Sequence, residues 1–320
     1  MDKNRKILVS ILSLFILCLI LGMFDVSLQV KNSKTAKDTF IKTPGIQALR
    51  LRPGIGIVRV EGVIDMGSNQ FRIRSGAEAI IARIDDLISD ADNIKAIVVR
   101  INSPGGSVAA TQEIYKKLWQ ARKKNIPLVA SMGDIAASGG YYIASACNTI
   151  YASNGTMTGS IGVIAYSPNV KKLFDNIGIK MDVIKSGKYK DIMSSWRDIS
   201  DDEKRLLNEI IDSSYQCFLN DVSTGRNIPV ADISPYADGR IMNGEIAKSC
   251  RLIDEIGGFE ESIQKAKELA GLSFDAPVYE ETINPFYQML LNLDGAFFKG
   301  NFFEKAASPD FYRFEYRYVQ

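Results

Sequence analysis

The sequence of 320 residues contains no histidine. Imidazole is the usual base that takes the proton from a nucleophilic serine, and it is also the commonest metal ligand among side chains. A Ser-His-Asp triad is therefore excluded, and a metal hydrolase is not indicated. If a serine of this chain acts as a nucleophile, its base must be a lysine.

The sequence also contains few cysteines and carries a small net charge. Of the four cysteines, Cys18 lies in an apolar N-terminal stretch, and Cys147, Cys217 and Cys250 show no metal-type spacing. Neither a disulfide framework nor a zinc site is indicated, and no cofactor is expected. The formal net charge is +2, and no basic stripe is interleaved with aromatic residues. A nucleic-acid partner is therefore not expected.

An apolar run lies near the N-terminus. Residues 7–24 contain no charged residue, and the run approaches the roughly 20 residues that a membrane-spanning helix needs. The run predicts a transmembrane helix or a signal peptide, and the lack of a small-x-small cleavage pattern after it favours a retained anchor. Residues 1–6 would then be a cytoplasmic N-terminus. Residues 25–54, which contain several Pro and Gly breakers, predict a tether between the membrane and the folded domain.

Strand and helix patterns alternate from residue 55 onward and predict an α/β domain over residues 55–271. The continuous apolar strand at 96–101 is typical of a parallel sheet that is buried on both faces. An aromatic-rich tail at 272–320 is expected to pack on the domain, on a neighbouring subunit or at the membrane interface. Strands are predicted at 55–64, 96–101, 126–131, 149–152, 161–166 and 181–185, and helices after residue 75, at 108–124, after Ser138, at 169–177 and after Ser200.

The first candidate for a functional site is the loop at residues 102–107, between a predicted strand and a predicted helix. Its adjacent Gly105 and Gly106 let the backbone approach a ligand and direct N–H groups outward, as an oxyanion hole requires. Ligands of open α/β sheets also gather at the carboxyl ends of the strands. An ordinary glycine-containing connection is the alternative interpretation.

The second candidate is Ser138, which follows a strand and precedes a short helix. A serine at this place is commonly a plain helix cap. Here, however, the neighbours Ala136, Ala137, Gly139 and Gly140 are all small, which leaves room for a peptide backbone and a free amide at Gly139. The turn approximates the nucleophile-elbow pattern, although alanine replaces the first glycine.

The third candidate is the lysine base. A base must lose its proton near neutral pH, whereas the pKa of a free lysine is about 10.4, so desolvation is needed. Lys190 follows a predicted strand in a glycine-containing connection that leads into apolar residues, and Lys185 and Lys188 are its rivals. A Ser-x-x-Lys spacing at Ser262 and Lys265 lies on a charged helix and is interpreted as surface.

These motifs together resemble those of the signal peptide peptidase A family, in its short single-domain bacterial form, within the Clp protease and crotonase fold superfamily. The resemblance covers roughly residues 54–271, and the N-terminal anchor also fits it. Any one motif is weak, but five in this order are specific. They are residues 102–106 (NSPGG), 136–142 (AASGGYY), 158–163 (TGSIGV), 186–191 (SGKYKD), and 239–241 (GRI) followed by 252–255 (LIDE).

The resemblance implies a fold of repeated ββα units and a serine peptidase. It implies that Ser138 is the nucleophile, that Lys190 is the general base, and that Ser160 orients the lysine amine through a hydrogen bond. It implies an oxyanion hole formed by the amides of Gly139 and of the turn that holds Gly105 and Gly106.

The resemblance also implies an assembly and a location. The family forms homo-oligomers in which adjacent protomers share active sites, with the domain on the extracytoplasmic side of the bacterial cytoplasmic membrane. The expected activity is that of a single-pass, membrane-anchored serine endopeptidase that degrades cleaved signal peptides and other short apolar peptides. The alternatives are acyl-CoA chemistry of the crotonase type and a non-catalytic membrane scaffold. The chain departs from the family pattern at Arg251, where Gly or Asn is usual before the LIDE run.

Overall fold

The computed structural model describes residues 52–67 and 76–280, and the backbone of residues 315–317. The predicted membrane anchor at 7–24, most of the predicted tether and most of the aromatic tail lie outside these ranges. Within them, none of the helices combines the length and the apolar character needed to cross a bilayer.

Strands and helices alternate through most of the described chain, as the α/β prediction requires. The strands are β1 (Gly54–Glu61), β2 (Ile94–Ser103), β3 (Gly105–Ser107), β4 (Leu128–Ala137), β5 (Thr149–Ala152), β6 (Met157–Gly159), β7 (Ile241–Met242), β8 (Glu255–Ile256), β9 (Val278–Tyr279) and β10 (Glu315–Arg317). The helices are α1 (Gly76–Ser89), α2 (Val108–Lys123), α3 (Gly139–Ser145), α4 (Lys171–Ile177), α5 (Asp201–Arg226), α6 (Val230–Ile233), α7 (Gly244–Ser249) and α8 (Phe259–Leu269).

Eight of the strands form one mixed sheet in which most neighbours are parallel. The main path runs β7-β6-β4-β2-β1-β9, and β5 lies beside β4 and β8. Of these pairs, β6 with β7 is antiparallel. Strand β4 pairs with β5 through residues 129–131 and with β6 through residues 135–137. The mostly parallel α/β fold predicted from the sequence is confirmed.

The central strands are buried on both faces, which explains their nearly continuous apolar sequence. Alternate side chains of β1 and β2 point to opposite sides of the sheet, as strand geometry requires. Ile97, Val99 and Ile101 join the larger cluster, which also contains side chains of α1, α2 and α3. Ala96 and Val98 join a smaller cluster with residues of α8. The sheet therefore lies between two helical layers.

Three strand predictions change once the partners of each strand are known. Strand β4 extends to Ala137, beyond the predicted 126–131, because its second half pairs with β6. The strand predicted at 161–166 is wrong, because the residues that pair with β4 are Met157–Gly159. The strand predicted at 181–185 is also wrong, since these residues are exposed and irregular. A strand needs a partner for its backbone groups, and 181–185 has none in the described part of this chain.

Helix α3 is buried over its whole length. Tyr142 packs its ring 4.7 Å from that of Phe218 in α5 and donates a hydrogen bond to the carboxylate of Asp221. Tyr141 donates to the carbonyl of Leu252 at 2.9 Å. Because these contacts fix the helix on several sides, they also fix the turn from which it starts, at Ser138.

Gly225 lies where helix α5 passes closest to α3. A Cβ atom at position 225 would overlap with the backbone carbonyl oxygen of Ser145. The close approach of the two helices therefore requires the absence of a side chain at this position.

We predict that Gly225→Ala destabilises the protein although alanine is the better helix former. Because the overlap is with a backbone atom, the overpacking cost lies at the upper end of about 1–3 kcal/mol and outweighs a helix-propensity gain of about 1 kcal/mol. The free energy of unfolding, measured by urea titration, should fall by about 1–2 kcal/mol. Ser213→Ala, at an exposed position of the same helix, is the control and should stay within about 0.5 kcal/mol. Equal stability of the two variants would contradict the prediction.

Candidate active site

Ser138 occupies a strained turn between strand β4 and helix α3. Its φ is 52° and its ψ is −113°, and its side chain caps no helix amide. A non-glycine residue with positive φ is uncommon, and such strain clusters at functional sites. The residue is 1 % exposed. The structure therefore gives Ser138 the backbone of a nucleophile elbow rather than that of a plain helix cap.

Helix α3 brings the Ser138 turn next to the glycine loop. A Cβ atom at Gly140 would lie 2.8 Å from the carbonyl oxygen of Ser103, at the end of strand β2. The backbones of the two loops therefore approach each other closely at the carboxyl ends of neighbouring parallel strands. The glycine loop at residues 102–107 and Ser138, two separate candidates in the sequence, are thus parts of one site.

The two glycine amides of the loop point in different directions. The amide of Gly105 donates to the side-chain oxygen of Ser103 at 3.1 Å. Ile64 donates to the carbonyl of Gly105 at 2.9 Å and accepts from the amide of Ser107 at 2.7 Å. Because adjacent residues of a strand point their backbone groups to opposite sides, the amide of Gly106 faces away from Ile64. The Gly106 amide therefore points to the other edge of β3.

A segment from the C-terminal tail covers the edge of β3 to which the Gly106 amide points. Strand β10 pairs antiparallel with β3, with Tyr316 opposite Gly106 and Arg317 opposite Gly105. The backbone of β10 also passes close to α3, the helix that follows Ser138. The sequence did not predict this strand, because three residues within an aromatic tail carry no strand periodicity.

Ser160 lies beside Ser138. Strands β4 and β6 run parallel with Ala137 opposite Gly159, and the amide of Ser138 donates to the carbonyl of Gly159 at 2.8 Å. Ser160 follows directly, is 8 % exposed and has a positive φ of 51°. Two strained serines therefore leave the sheet side by side at one edge.

Lys190 is not part of this group within the chain. It is exposed, on an irregular segment between helices α4 and α5. Among the described residues, its amine forms no hydrogen bond or ion pair with Ser138 or Ser160, nor with a carboxylate. The backbone therefore places two of the three predicted catalytic residues side by side, and the third is exposed elsewhere.

The rival lysines are both held by carboxylates. The Lys185 amine contacts Asp191 at 2.5 Å and the carbonyl of Lys188 at 3.0 Å. The Lys188 amine contacts Asp202 at 2.6 Å, and this hydrogen bond raises the pKa of Lys188. A partner of opposite charge stabilises the protonated amine, which cannot accept a proton. Lys190 is thus the best of the three for a base.

The structure also bears on two further features of the sequence, Arg251 and the Ser-x-x-Lys spacing. Arg251 has a φ of 62°, so the left-handed position that usually holds Gly or Asn is kept here by a bulkier residue. Ser262 of the Ser-x-x-Lys spacing is buried rather than at the surface, and its hydroxyl donates to the carbonyl of Gly258 at 2.7 Å. Lys265 pairs with Glu268 at 2.7 Å, so this spacing forms no reactive pair.

Comparison with known families gives two overlapping matches. Residues 120–273 match the model of peptidase family S49, and residues 67–154 match that of the Clp protease family. The first match contains Ser138, Ser160 and Lys190. The resemblance inferred from the sequence motifs is confirmed.

Named relatives agree with these matches. The candidate protease slr0021 of Synechocystis sp. is 48 % identical over 56 % of this chain and 65 % of its own length. The chloroplastic serine protease SPPA of Arabidopsis thaliana is 34 % identical over 71 % of this chain and 33 % of its own. A candidate signal peptide peptidase, SppA, of Enterococcus faecium is 36 % identical over 60 % and 56 %. The match therefore spans less than two thirds of each of these relatives. Residues 120–273 of this chain are therefore similar to peptidase family S49.

Proposed function

We propose that this protein is a serine peptidase in which Ser138 is the nucleophile and Lys190 is the general base. The observation that carries the proposal is the strained backbone of Ser138 at the start of the buried helix α3. A serine that only caps a helix does not require a strained backbone. At a nucleophile elbow, the strained backbone places the serine oxygen at the end of the sheet. The match of residues 120–273 to peptidase family S49 supports the same chemistry.

In this mechanism the neutral amine of Lys190 takes the proton of the Ser138 hydroxyl as its oxygen attacks a peptide carbonyl carbon. The amides of Gly139 and Gly106 donate to the oxyanion that develops on the carbonyl oxygen. The lysine then gives its proton to the leaving amine, and an acyl-enzyme remains. Water, deprotonated by the same lysine, hydrolyses the ester and frees Ser138. Ser160 would hold the amine in place by a hydrogen bond.

The base would come from a neighbouring copy of the chain. Among the described residues of one protomer, Ser138 has no basic hydrogen-bond partner, while the segment that carries Lys190 exposes many large apolar side chains. Exposed apolar surface of this kind marks an interaction site. A second copy that covers this surface would also bring a lysine to a serine, so that the assembly completes the site. The residues are Ile164, Tyr166, Leu173, Ile177, Ile179, Met181, Val183, Ile184 and Tyr189.

The substrate would be a short, extended apolar peptide. The edge of β3 that faces away from Ile64 is paired with the antiparallel strand β10, and a peptide that displaced β10 would use main-chain hydrogen bonds beside Ser138. With an anchor at residues 7–24, the domain would meet the remnants of cleaved signal peptides at the membrane. We therefore place it on the extracytoplasmic side of a bacterial cytoplasmic membrane.

Replacement of the two proposed catalytic residues tests the chemistry. We expect Ser138→Ala to lower kcat on a fluorogenic apolar peptide by at least about 10³-fold and Lys190→Ala by at least about 10²-fold. Lys188→Ala removes an exposed ion pair in the same loop and is the matched control, with kcat expected within about threefold of wild type. A Lys190→Ala protein with native activity would refute the assignment.

Mixing of the two inactive variants tests whether protomers share the site. A complex of Ser138→Ala and Lys190→Ala chains contains some interfaces where an intact serine meets an intact lysine. If chains assort at random, about a quarter of the wild-type rate should return. Each variant mixed with itself is the control. No recovery after the subunits are dissociated and reassembled together would mean that each site uses residues of one chain.

Removal of strand β10 tests the proposed peptide edge. A chain that ends at residue 310 lacks the tail strand that pairs with β3, so a substrate no longer competes with it. We expect KM for the peptide to fall by at least about threefold. A chain that lacks only residues 318–320 keeps β10 and should behave like the full chain. A rise in KM after the longer truncation would show that the tail helps to bind substrate instead.

A further inference from the structure

Arg197 holds the residue that follows Lys190. Its guanidinium donates to both carboxylate oxygens of Asp191, each at 2.9 Å, and to the backbone carbonyl of Asp191 at 2.8 Å. The arginine thus fixes both the side chain and the main chain of the neighbour of Lys190. The Asp191 side chain is only 10 % exposed.

The same guanidinium binds the start of helix α5. It donates to the two carboxylate oxygens of Glu203 at 2.5 and 2.9 Å. Glu203 accepts from the amide of Ser200 at 2.9 Å, and its own amide donates to the Ser200 hydroxyl. This reciprocal pair is a capping box, for which serine followed three residues later by glutamate is the sequence signature. Arg197 therefore connects the lysine loop to a helix end that is itself fixed.

The cluster stays charged at neutral pH. Hydrogen bonds from Arg197, and then from Lys185, hold the pKa of Asp191 far below its usual value. The hydrogen bond from Arg197 also lowers the pKa of Glu203 to about 2. The cations Arg197 and Lys185 thus pair with the carboxylates of Asp191 and Glu203. Neither carboxylate pairs with Lys190. An unengaged Asp191 would stabilise the protonated amine of its neighbour.

We infer that Arg197 is the positioning residue for the general base. By binding Asp191 and Glu203 together, it holds the backbone at Lys190 in one place and keeps the adjacent carboxylate occupied. The inference rests on the proposed role of Lys190. Effective general base catalysis requires the amine within hydrogen-bond reach of the hydroxyl, and a displacement of about 1 Å can cost about 10²-fold in rate. The sequence alone gave no sign of this role, since an arginine seven residues after a lysine matches no motif.

Arg197→Ala tests the inference directly in the full-length protein. We expect kcat on the apolar peptide to fall by about 10- to 100-fold while KM stays within about twofold, because the peptide edge is untouched. Backbone amide exchange of residues 186–194 should become faster. Arg205→Ala removes another arginine that pairs with an aspartate near the start of α5, where the side chain is 73 % exposed, and it should leave kcat and the exchange unchanged.

Two further variants separate positioning from general destabilisation. Arg197→Lys keeps the charge but cannot bridge both carboxylates through a planar fork, so its kcat should lie between those of wild type and Arg197→Ala. Asp191→Asn should lower kcat as well, and its combination with Arg197→Ala should be no worse than Arg197→Ala alone, since both changes break one connection. Additive losses would overturn a shared role.

The outcome also distinguishes this inference from the proposed function. If Lys190→Ala abolishes activity but Arg197→Ala retains native kcat, the positioning role is wrong and the dyad stands. If Lys190→Ala is fully active, the proposed base is wrong, and the role of Arg197 in placing it is wrong as well. Arg197→Ala could also lose activity only because less of the protein is folded. A normal kcat per folded molecule would show this, and it would overturn the positioning role.

Discussion

The backbone of Ser138 is held in a strained conformation from both sides, and the site depends on this constraint. Strand β4 fixes the residues before it by pairing with β6, and the wholly buried helix α3 fixes the residues after it. Strain of this kind costs roughly 1–3 kcal/mol, so it persists only where packing over-determines the turn. The aromatic contacts of Tyr142 and the close passage of helix α5 at Gly225 supply that packing. The large core therefore serves to present one hydroxyl and one row of amides.

The proposed mechanism also requires a general base. Because the chain has no histidine, the candidates for this base are lysines. Of the three lysines in the loop before α5, Lys185 and Lys188 pair with carboxylates, whereas Lys190 is exposed and has no ion pair among the described residues. A site that is complete only between copies would explain why the lysine segment exposes apolar side chains. It would also explain why residues 181–185, which are exposed and irregular, pair with no strand in the described part of the chain. In this account, assembly and activity are coupled, since an isolated protomer has a nucleophile without its base.

The turn at Ser138 and the glycine loop could be predicted from the sequence because they depend on neighbouring residues. Strand limits and long-range contacts could not, because they depend on residues far apart in the chain. The small residues around Ser138 and the paired Gly105 and Gly106 permit tight turns and close backbone approach, which is a local property, so they could be identified in advance. The limits of β4 and β6 depended on which strands pair, and apolar periodicity alone misplaced one strand by several residues. The connection from Arg197 to Asp191 and Glu203 depends on the path of the loop, and the pairing of β10 with β3 joins segments about 210 residues apart. Neither leaves a periodic signal in the sequence.

The distance between the Lys190 amine and the Ser138 hydroxyl in the assembled protein tests the central claim most directly. A crystal or electron cryo-microscopy structure of the full-length oligomer gives that distance across every interface. The account predicts that the Lys190 Nζ of one copy lies within about 3 Å of the Ser138 Oγ of its neighbour, or reaches it through one water. An assembly in which the two atoms are more than about 6 Å apart at every interface, with the enzyme active, would contradict it.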